Sequence, residues 1–137
     1  MNERTPQILV VDDLPDWRTT ISGLLRDEKY EVQMADSSAK AIELLETNPF
    51  DLAVLDMRLD ETDETNEEGL DLAEEIRQRW PAVKVIILTG YYTPERLDRA
   101  MAQNTEGQGL ADDFIEKGES DKLAQVVQDL LKAERGK

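Results

Sequence analysis

The stretch ILVVDD, residues 8–13, runs from four consecutive apolar residues into two carboxylates. The apolar part is typical of a strand that is buried on both faces, as the central strands of a parallel sheet are. Two further runs have the same character, LAVL at 52–55 and VKVIIL at 83–88. Three such strands in one chain predict an α/β protein with a parallel sheet at its centre.

Two less apolar segments complete the predicted sheet. YEVQMA at 30–35 alternates apolar and polar residues, as an edge strand does, and DFIE at 113–116 is a short strand near the end of the chain. Helical stretches separate the strands, because apolar residues recur there on one helix face. These positions are Trp17, Ile21, Leu24 and Leu25; Ala41, Leu44 and Leu45; Leu72, Ala73 and Ile76; and Leu123, Val126, Val127, Leu130 and Leu131.

Start signals predict two helix boundaries. Thr93-Pro94-Glu95 supplies an N-cap, a proline at the first helical position and an acid for a helix over 94–103, and Ser120-Asp121 begins the last helix. Strands and helices thus alternate. Right-handed crossovers confine such a (βα)5 chain to a doubly wound, flavodoxin-like sandwich with five parallel strands in the order 2-1-3-4-5.

The length and the N-terminus predict a single cytoplasmic domain. A chain of 137 residues suits one domain over 1–137, with a core at about 7–132 and no output domain. The N-terminal MNERTPQ lacks the apolar core of a signal peptide, and no apolar run approaches the length that spans a bilayer. We therefore expect no membrane partner.

The composition excludes several kinds of chemistry. The chain has no cysteine and no histidine, which rules out disulfides, thiolate metal sites and the histidine-dependent catalytic triads. The net charge is −15, of which residues 1–71 carry −13 and residues 72–137 carry −2. A chain with this much negative charge repels the phosphate backbone of nucleic acids, and we therefore expect no direct nucleic-acid binding. A cation is the more natural ligand.

Charged and polar residues follow the predicted strands. Strand 1 ends on Asp12 and Asp13, strand 3 on Asp56, strand 4 on Thr89 and strand 5 on Lys117. In open α/β sheets, ligands bind outside these carboxyl ends, so the five residues are expected to converge. Carboxylate oxygens are ligands that Mg²⁺ prefers, and three adjacent carboxylates repel one another unless a cation or the lysine compensates. A metal site for phosphoryl chemistry makes use of that repulsion.

With these residues, the chain resembles the receiver domains of bacterial two-component response regulators over about 7–132. The resemblance implies that Asp56 accepts a phosphoryl group from the phosphohistidine of a histidine kinase or histidine phosphotransfer protein. The matching positions are Asp12-Asp13 after strand 1, Asp56 after strand 3, Thr89-Gly90 after strand 4, and Phe114 and Lys117 on strand 5.

The resemblance also implies the other roles at the site. Thr89 would donate a hydrogen bond to one phosphoryl oxygen, and Lys117 would pair with another. Mg²⁺, with Mn²⁺ as an alternative ion, would be bound by Asp12, Asp13, Asp56 and the backbone carbonyl of Arg58. A signalling domain of this kind is not primarily an enzyme, although slow loss of its own phosphoryl group is expected.

A conformational switch is implied as well. Movement of Thr89 toward the phosphoryl group would open room for Phe114 to turn, changing the face formed by the helix over 94–103, the fifth strand and the last helix. This helix 4–strand 5–helix 5 face would bind a downstream effector protein. The resemblance is compatible with a monomer or with a dimer that forms on phosphorylation.

The chain departs from the usual receiver pattern at three places. The loop after Asp56 is unusually long and acidic, since Gly69 follows 13 residues later, and residues 102–113 lengthen a second connection. Lys117 is followed by Gly118, where the family normally has a proline in a cis peptide. Arg58 and Tyr91, two residues beyond Asp56 and Thr89, occupy positions where side chains can overhang the acceptor, and we hypothesise that this pair slows dephosphorylation.

Alternative functions remain at the sequence level. The first is a non-phosphorylated, receiver-like protein-binding module. A phosphatase of the haloacid-dehalogenase type needs a second acid two residues after its nucleophile, but Arg58 and Leu14 occupy those positions. A flavodoxin would have a Ser-, Thr- and Gly-rich phosphate loop in place of DDLPD. The acidic run 60–68 lacks the sixth-position glycine of a calcium-binding EF-hand loop.

Overall fold

A computed structural model describes residues 5–56, 68–90 and 111–135 of the chain. These residues form a five-stranded parallel sheet in the order β2-β1-β3-β4-β5, which confirms the predicted fold and strand order. The strands are β1 (Gln7–Val11), β2 (Glu31–Ala35), β3 (Leu52–Leu55), β4 (Lys84–Thr89) and β5 (Asp113–Glu116). The helices are α1 (Pro15–Asp27), α2 (Ser38–Thr47), α3 (Glu68–Arg79) and α4 (Leu123–Arg135).

Two predicted helix boundaries have different outcomes. The helix predicted over 94–103 lies outside the described residues. The start predicted at Ser120-Asp121 falls within a 3₁₀ segment, Lys117–Lys122, so the α-helix itself begins only at Leu123. A tight first turn of this kind is common before an α-helix.

Within the described ranges, none of the helices is both long and apolar enough to cross a membrane.

The sheet separates two apolar layers. Successive residues of a strand point to opposite faces, so β1 sends Leu9 and Val11 into the layer with α2 and α3, and Ile8 and Val10 into the layer with α1 and α4. Strands β1 and β3 are almost completely buried on both faces. Burial on both faces is the physical reason that their sequences are unbroken apolar runs.

A half-buried ion pair holds the start of β5 against the rest of the sheet. The Arg77 guanidinium on α3 lies 3.0 Å from Asp112 Oδ2. The same carboxylate oxygen accepts a hydrogen bond from the backbone N–H of Val85 on β4 at 2.8 Å. This arrangement joins α3 and β4 to the strand that leads into Lys117.

Helix α1 ends in a left-handed turn that contains no glycine. Lys29 has φ of 73°, its backbone N–H donates to the Arg26 carbonyl at 2.9 Å, and the Tyr30 N–H donates to the Leu25 carbonyl at 3.3 Å. This pair of hydrogen bonds is the Schellman motif, in which the left-handed position is usually occupied by glycine. A lysine there is strained because its Cβ crowds the backbone.

Replacing Lys29 by Gly is therefore expected to raise the free energy of unfolding by about 0.5–1 kcal/mol, measured by urea denaturation. The matched control is Glu28→Gly at the preceding position, where φ is −88° and glycine gains nothing. That control should lose stability, because glycine adds entropy only to the unfolded chain. A Lys29→Gly protein that unfolds at or below the wild-type midpoint would contradict the strain argument.

Candidate functional site

The three carboxylates predicted at the strand ends lie together. Val11 pairs with Leu55 in neighbouring strands, so Asp12 and Asp56 leave the sheet side by side. The backbone N–H of Asp56 donates to the Val11 carbonyl at 2.9 Å, which continues the strand pairing up to the carboxylate. One carboxylate oxygen from each of Asp12, Asp13 and Asp56 lies within 4.8 Å of the others. Asp12 and Asp56 are buried, and Asp13 is half-buried.

Lys117 reaches the same cluster from the end of β5. Its Nζ lies 3.0 Å from Asp12 Oδ2 and 3.3 Å from Asp56 Oδ2, and only 6% of the side chain is exposed. A Cβ added at Gly90 would lie 3.8 Å from the Lys117 Cδ, so residue 90 lies directly over the lysine stem. The four ionisable groups predicted from the strand ends are therefore neighbours.

The electrostatics of the cluster keep the lysine charged. Burial lowers the pKa of the Lys117 ammonium, but the nearby carboxylates of Asp56 and Asp12 outweigh it, and the net result is a raised pKa. Asp12 is held from two sides, because its Oδ1 accepts the Leu14 N–H at 2.9 Å and its Oδ2 lies against the ammonium. Three carboxylates around one ammonium leave an excess of negative charge.

The donor set fits a hard divalent cation. Mg²⁺ is bound in proteins by one or two carboxylates together with water and phosphate oxygens, and the excess negative charge of this cluster favours such an ion. Asp12, Asp13 and Asp56 are the described residues whose oxygens could hold it. Arg58, whose backbone carbonyl is a predicted further ligand, lies outside the described residues, as does Tyr91.

The two predicted switch residues occupy adjacent strands. Thr89 is the last residue of β4 and pairs with Glu116 on β5. Phe114 lies on β5, is half-buried, and packs against the apolar layer that contains α2 and α3. Phe114 is thus partly covered by that layer.

Gly118 does not prevent Lys117 from reaching the site. In the described ranges every peptide bond is trans, including the bond between these two residues. A Cβ added at Gly118 would have no atom within 4 Å, so the glycine is not required by close packing. The 3₁₀ segment, Lys117–Lys122, makes the turn in place of the proline that is usual in the family.

Trp17 makes a contact that the sequence did not predict. The sequence predicts only packing for this residue, and it does pack against the apolar layer that contains α1 and α4. Its indole ring also lies beneath Lys117, with the Nζ 5.0 Å from the ring centroid. The available signal was its position, four residues after Asp13 in the first turn of α1. Trp80, by contrast, packs against the other layer and lies under the Arg79 guanidinium at 4.3 Å.

Comparison with known proteins agrees with this geometry. The family model for the response regulator receiver domain matches residues 8–128. The chain belongs to the response regulator receiver domain family. Receiver domains act in two-component signalling and bind Mg²⁺ at an acidic pocket, and this receiver domain has the acids of such a pocket in Asp12, Asp13 and Asp56.

Individual relatives resemble this receiver domain over most of its length. A putative NtrX-like response regulator of Rickettsia bellii is 33% identical over 110 residues, which are 80% of this chain and 21% of that protein. The response regulator PilR of Pseudomonas aeruginosa is 38% identical over 109 residues, 80% of this chain and 22% of that protein. This chain thus spans about a fifth of the length of these relatives.

A solved receiver structure matches the whole fold. The response regulator TrrA from Thermotoga maritima superimposes with a TM-score of 0.75 at 30% identity, covering 92% of this chain and 99% of that chain. That structure is a complex with Mg(2+)-BeF. The resemblance drawn from the strand-end residues is confirmed at the level of the family and of the fold.

Proposed function

We propose that this receiver domain is an Mg²⁺-dependent phosphoryl acceptor whose nucleophile is Asp56. The observation that carries the proposal is the buried Asp56 carboxylate with two further carboxylates within 4.8 Å and a lysine ammonium at 3.3 Å. A structural role alone gives no reason to bring three like charges together where two of them are buried, because their repulsion is strong where water is excluded. The complex of TrrA with Mg(2+)-BeF supports the same chemistry.

The chain's own residues would perform an in-line transfer. A carboxylate oxygen of Asp56 attacks the donor phosphorus while the bond from phosphorus to the donor nitrogen breaks, and the donor imidazole keeps that electron pair. The Lys117 ammonium shifts from the carboxylates to a phosphoryl oxygen, and the Thr89 hydroxyl donates to another. A Mg²⁺ ion held by Asp12, Asp13 and Asp56 would neutralise charge on the phosphoryl oxygens.

The proposed donor is a histidine kinase or a histidine phosphotransfer protein, and the proposed recipient of the signal is an effector protein. Response regulators interact with both classes of partner. The face formed by residues 94–103, β5 and α4 would change if Phe114 turned away from the apolar layer against which it packs. A small free-energy difference between two packings is enough for one new charge cluster to shift the population.

Arg58 and Tyr91 are proposed to control the access of water to the phosphorylated aspartate. Replacing both by Ala is expected to shorten the half-life of the aspartyl phosphate by about tenfold, because water can then approach the phosphorus in line. The half-life is measured by intact mass after the donor is removed. An unchanged half-life in the double variant would refute this role.

The proposed chemistry is tested by incubating the wild-type protein with acetyl phosphate and Mg²⁺ and measuring its intact mass. We expect an adduct of one phosphoryl group that is absent when EDTA is added and that is removed by hydroxylamine, as an acyl phosphate is. The alternative function, a receiver-like module that binds partners without phosphorylation, predicts no adduct under any of these conditions.

A further inference from the structure

We propose that Trp17 is a positioning residue, whose indole ring holds the Lys117 ammonium against the carboxylates of Asp12 and Asp56. The inference rests on the proposed function, since it concerns the same site. It assigns to Trp17 a function in addition to core packing.

The Lys117 ammonium has two kinds of neighbour. The carboxylates of Asp12 and Asp56 lie 3.0 Å and 3.3 Å from the Nζ, and the Trp17 ring centroid lies 5.0 Å from it. An ammonium within about 6 Å of an indole face is attracted by the ring's negative quadrupole, and the attraction is strongest where water is excluded. With 6% of the lysine side chain exposed, this contact is in such an environment.

The apolar core also supports the Trp17 ring. Trp17 packs against the apolar layer that contains α1 and α4, and it stands in the first turn of α1. The start of that helix is fixed by Pro15 at its N-terminus and by the Leu14 N–H, which donates to Asp12 Oδ1. The core packing therefore supports the ring in addition to its contact with Lys117.

An aromatic face suits a lysine that has to move. The ring excludes water and stabilises the ammonium, yet it offers no carboxylate or carbonyl oxygen that would compete with an incoming phosphoryl oxygen. The lysine side chain is a flexible four-carbon stem, so without the ring the ammonium would sample positions away from Asp56. The expected consequence is a slower transfer, not a misfolded protein.

The decisive comparison is between an aromatic and an aliphatic side chain at position 17. In a Trp80→Phe background, Trp17→Phe should phosphorylate with acetyl phosphate within about threefold of the parent, while Trp17→Leu should be about five- to tenfold slower, as expected for losing a desolvated cation–π contact. In a Lys117→Met background, Trp17→Leu should slow the reaction no further, because the contact is already lost. Equal rates for the Phe and Leu variants, or an undiminished effect without the lysine, would overturn the proposal.

Trp17 fluorescence gives a readout that is independent of phosphorylation and of any change at position 17. With Trp80 replaced by Phe, the remaining tryptophan emission should differ between Lys117 and Lys117→Met proteins in metal-free buffer, because the lysine charge lies against the ring. Addition of Mg²⁺ should change the emission only when Lys117 is present. Identical emission from both proteins would overturn the proposal.

Failure of the proposed function can be distinguished from failure of this inference. If the parent protein takes up no phosphoryl group, the proposed function fails, and the emission comparison alone decides the role of Trp17.

Discussion

Asp13→Asn is expected to be more stable than the wild type in metal-free buffer, by about 1–3 kcal/mol in the free energy of unfolding. The substitution removes one of three carboxylates whose oxygens lie within 4.8 Å of one another. It leaves intact the contacts of Lys117 with Asp12 and Asp56, at 3.0 Å and 3.3 Å. The repulsion therefore falls while the two ion pairs of Lys117 remain, and urea denaturation in EDTA measures the difference.

Magnesium should reverse this order. The wild type is expected to gain stability as Mg²⁺ is added, since an ion that binds only the folded state stabilises it by mass action. Asp13→Asn should lose most of that gain because a ligand is missing. The matched control is Asp16→Asn, an exposed acid in the first turn of α1, which should be neutral or slightly destabilising. An Asp13→Asn protein less stable than the wild type in EDTA would count against a repulsive acid cluster.

Lys117→Met is expected to have the opposite effect. Methionine retains the apolar stem but removes the ammonium that contacts Asp12 and Asp56 at the buried ends of β1 and β3. Removing one partner of a buried ion pair costs about 3–5 kcal/mol, so we expect a loss near the lower bound in metal-free buffer. Added Mg²⁺ should recover part of that loss, because the ion supplies the missing positive charge.

The pH dependence of this loss follows from the lysine. Its pKa in the folded protein is raised above the ordinary value, because the carboxylates of Asp56 and Asp12 outweigh the effect of burial. The stabilisation is therefore complete below the unfolded pKa of about 10.4 and is lost only as the pH rises through the higher folded value. The difference between wild type and Lys117→Met should stay constant between about pH 7 and 9.

A second lysine provides the control. Lys122, in the same 3₁₀ segment, is 62% exposed and pairs with Glu119. Exposed ion pairs contribute little, so Lys122→Met should leave the denaturation midpoint nearly unchanged. If Lys117→Met and Lys122→Met had the same midpoint in EDTA, the charge balance described for the site would be wrong.

The sheet and its order were predictable because a local signal coincides with a strong topological constraint. Unbroken apolar runs such as residues 8–11 and 52–55 mark strands buried on both faces, and right-handed crossovers leave few ways to arrange five of them. Once β1 and β3 are neighbours, the residues after them must meet. The approach of Asp12 to Asp56 is thus a consequence of topology and not of any local motif.

Features that depend on tertiary contacts were not predictable in the same way. Nothing in the sequence marks Lys29 as left-handed, because the usual glycine signal is absent and the turn is stabilised by backbone hydrogen bonds to α1. The 3₁₀ segment before α4 occupies positions whose capping residues predict an α-helix. The contact of Trp17 with Lys117 joins residues a hundred positions apart. The helical periodicity of the sequence predicts only that the Trp17 ring packs against the core.

The central claim is that Asp56 receives the phosphoryl group, and intact mass of wild type and Asp56→Asn after incubation with acetyl phosphate and Mg²⁺ tests it most directly. Asparagine keeps the shape of the side chain but lacks the nucleophilic carboxylate. We expect one phosphoryl adduct on the wild type and none on the variant, with both proteins folded. No adduct on the wild type, or an equal adduct on Asp56→Asn, would contradict the account.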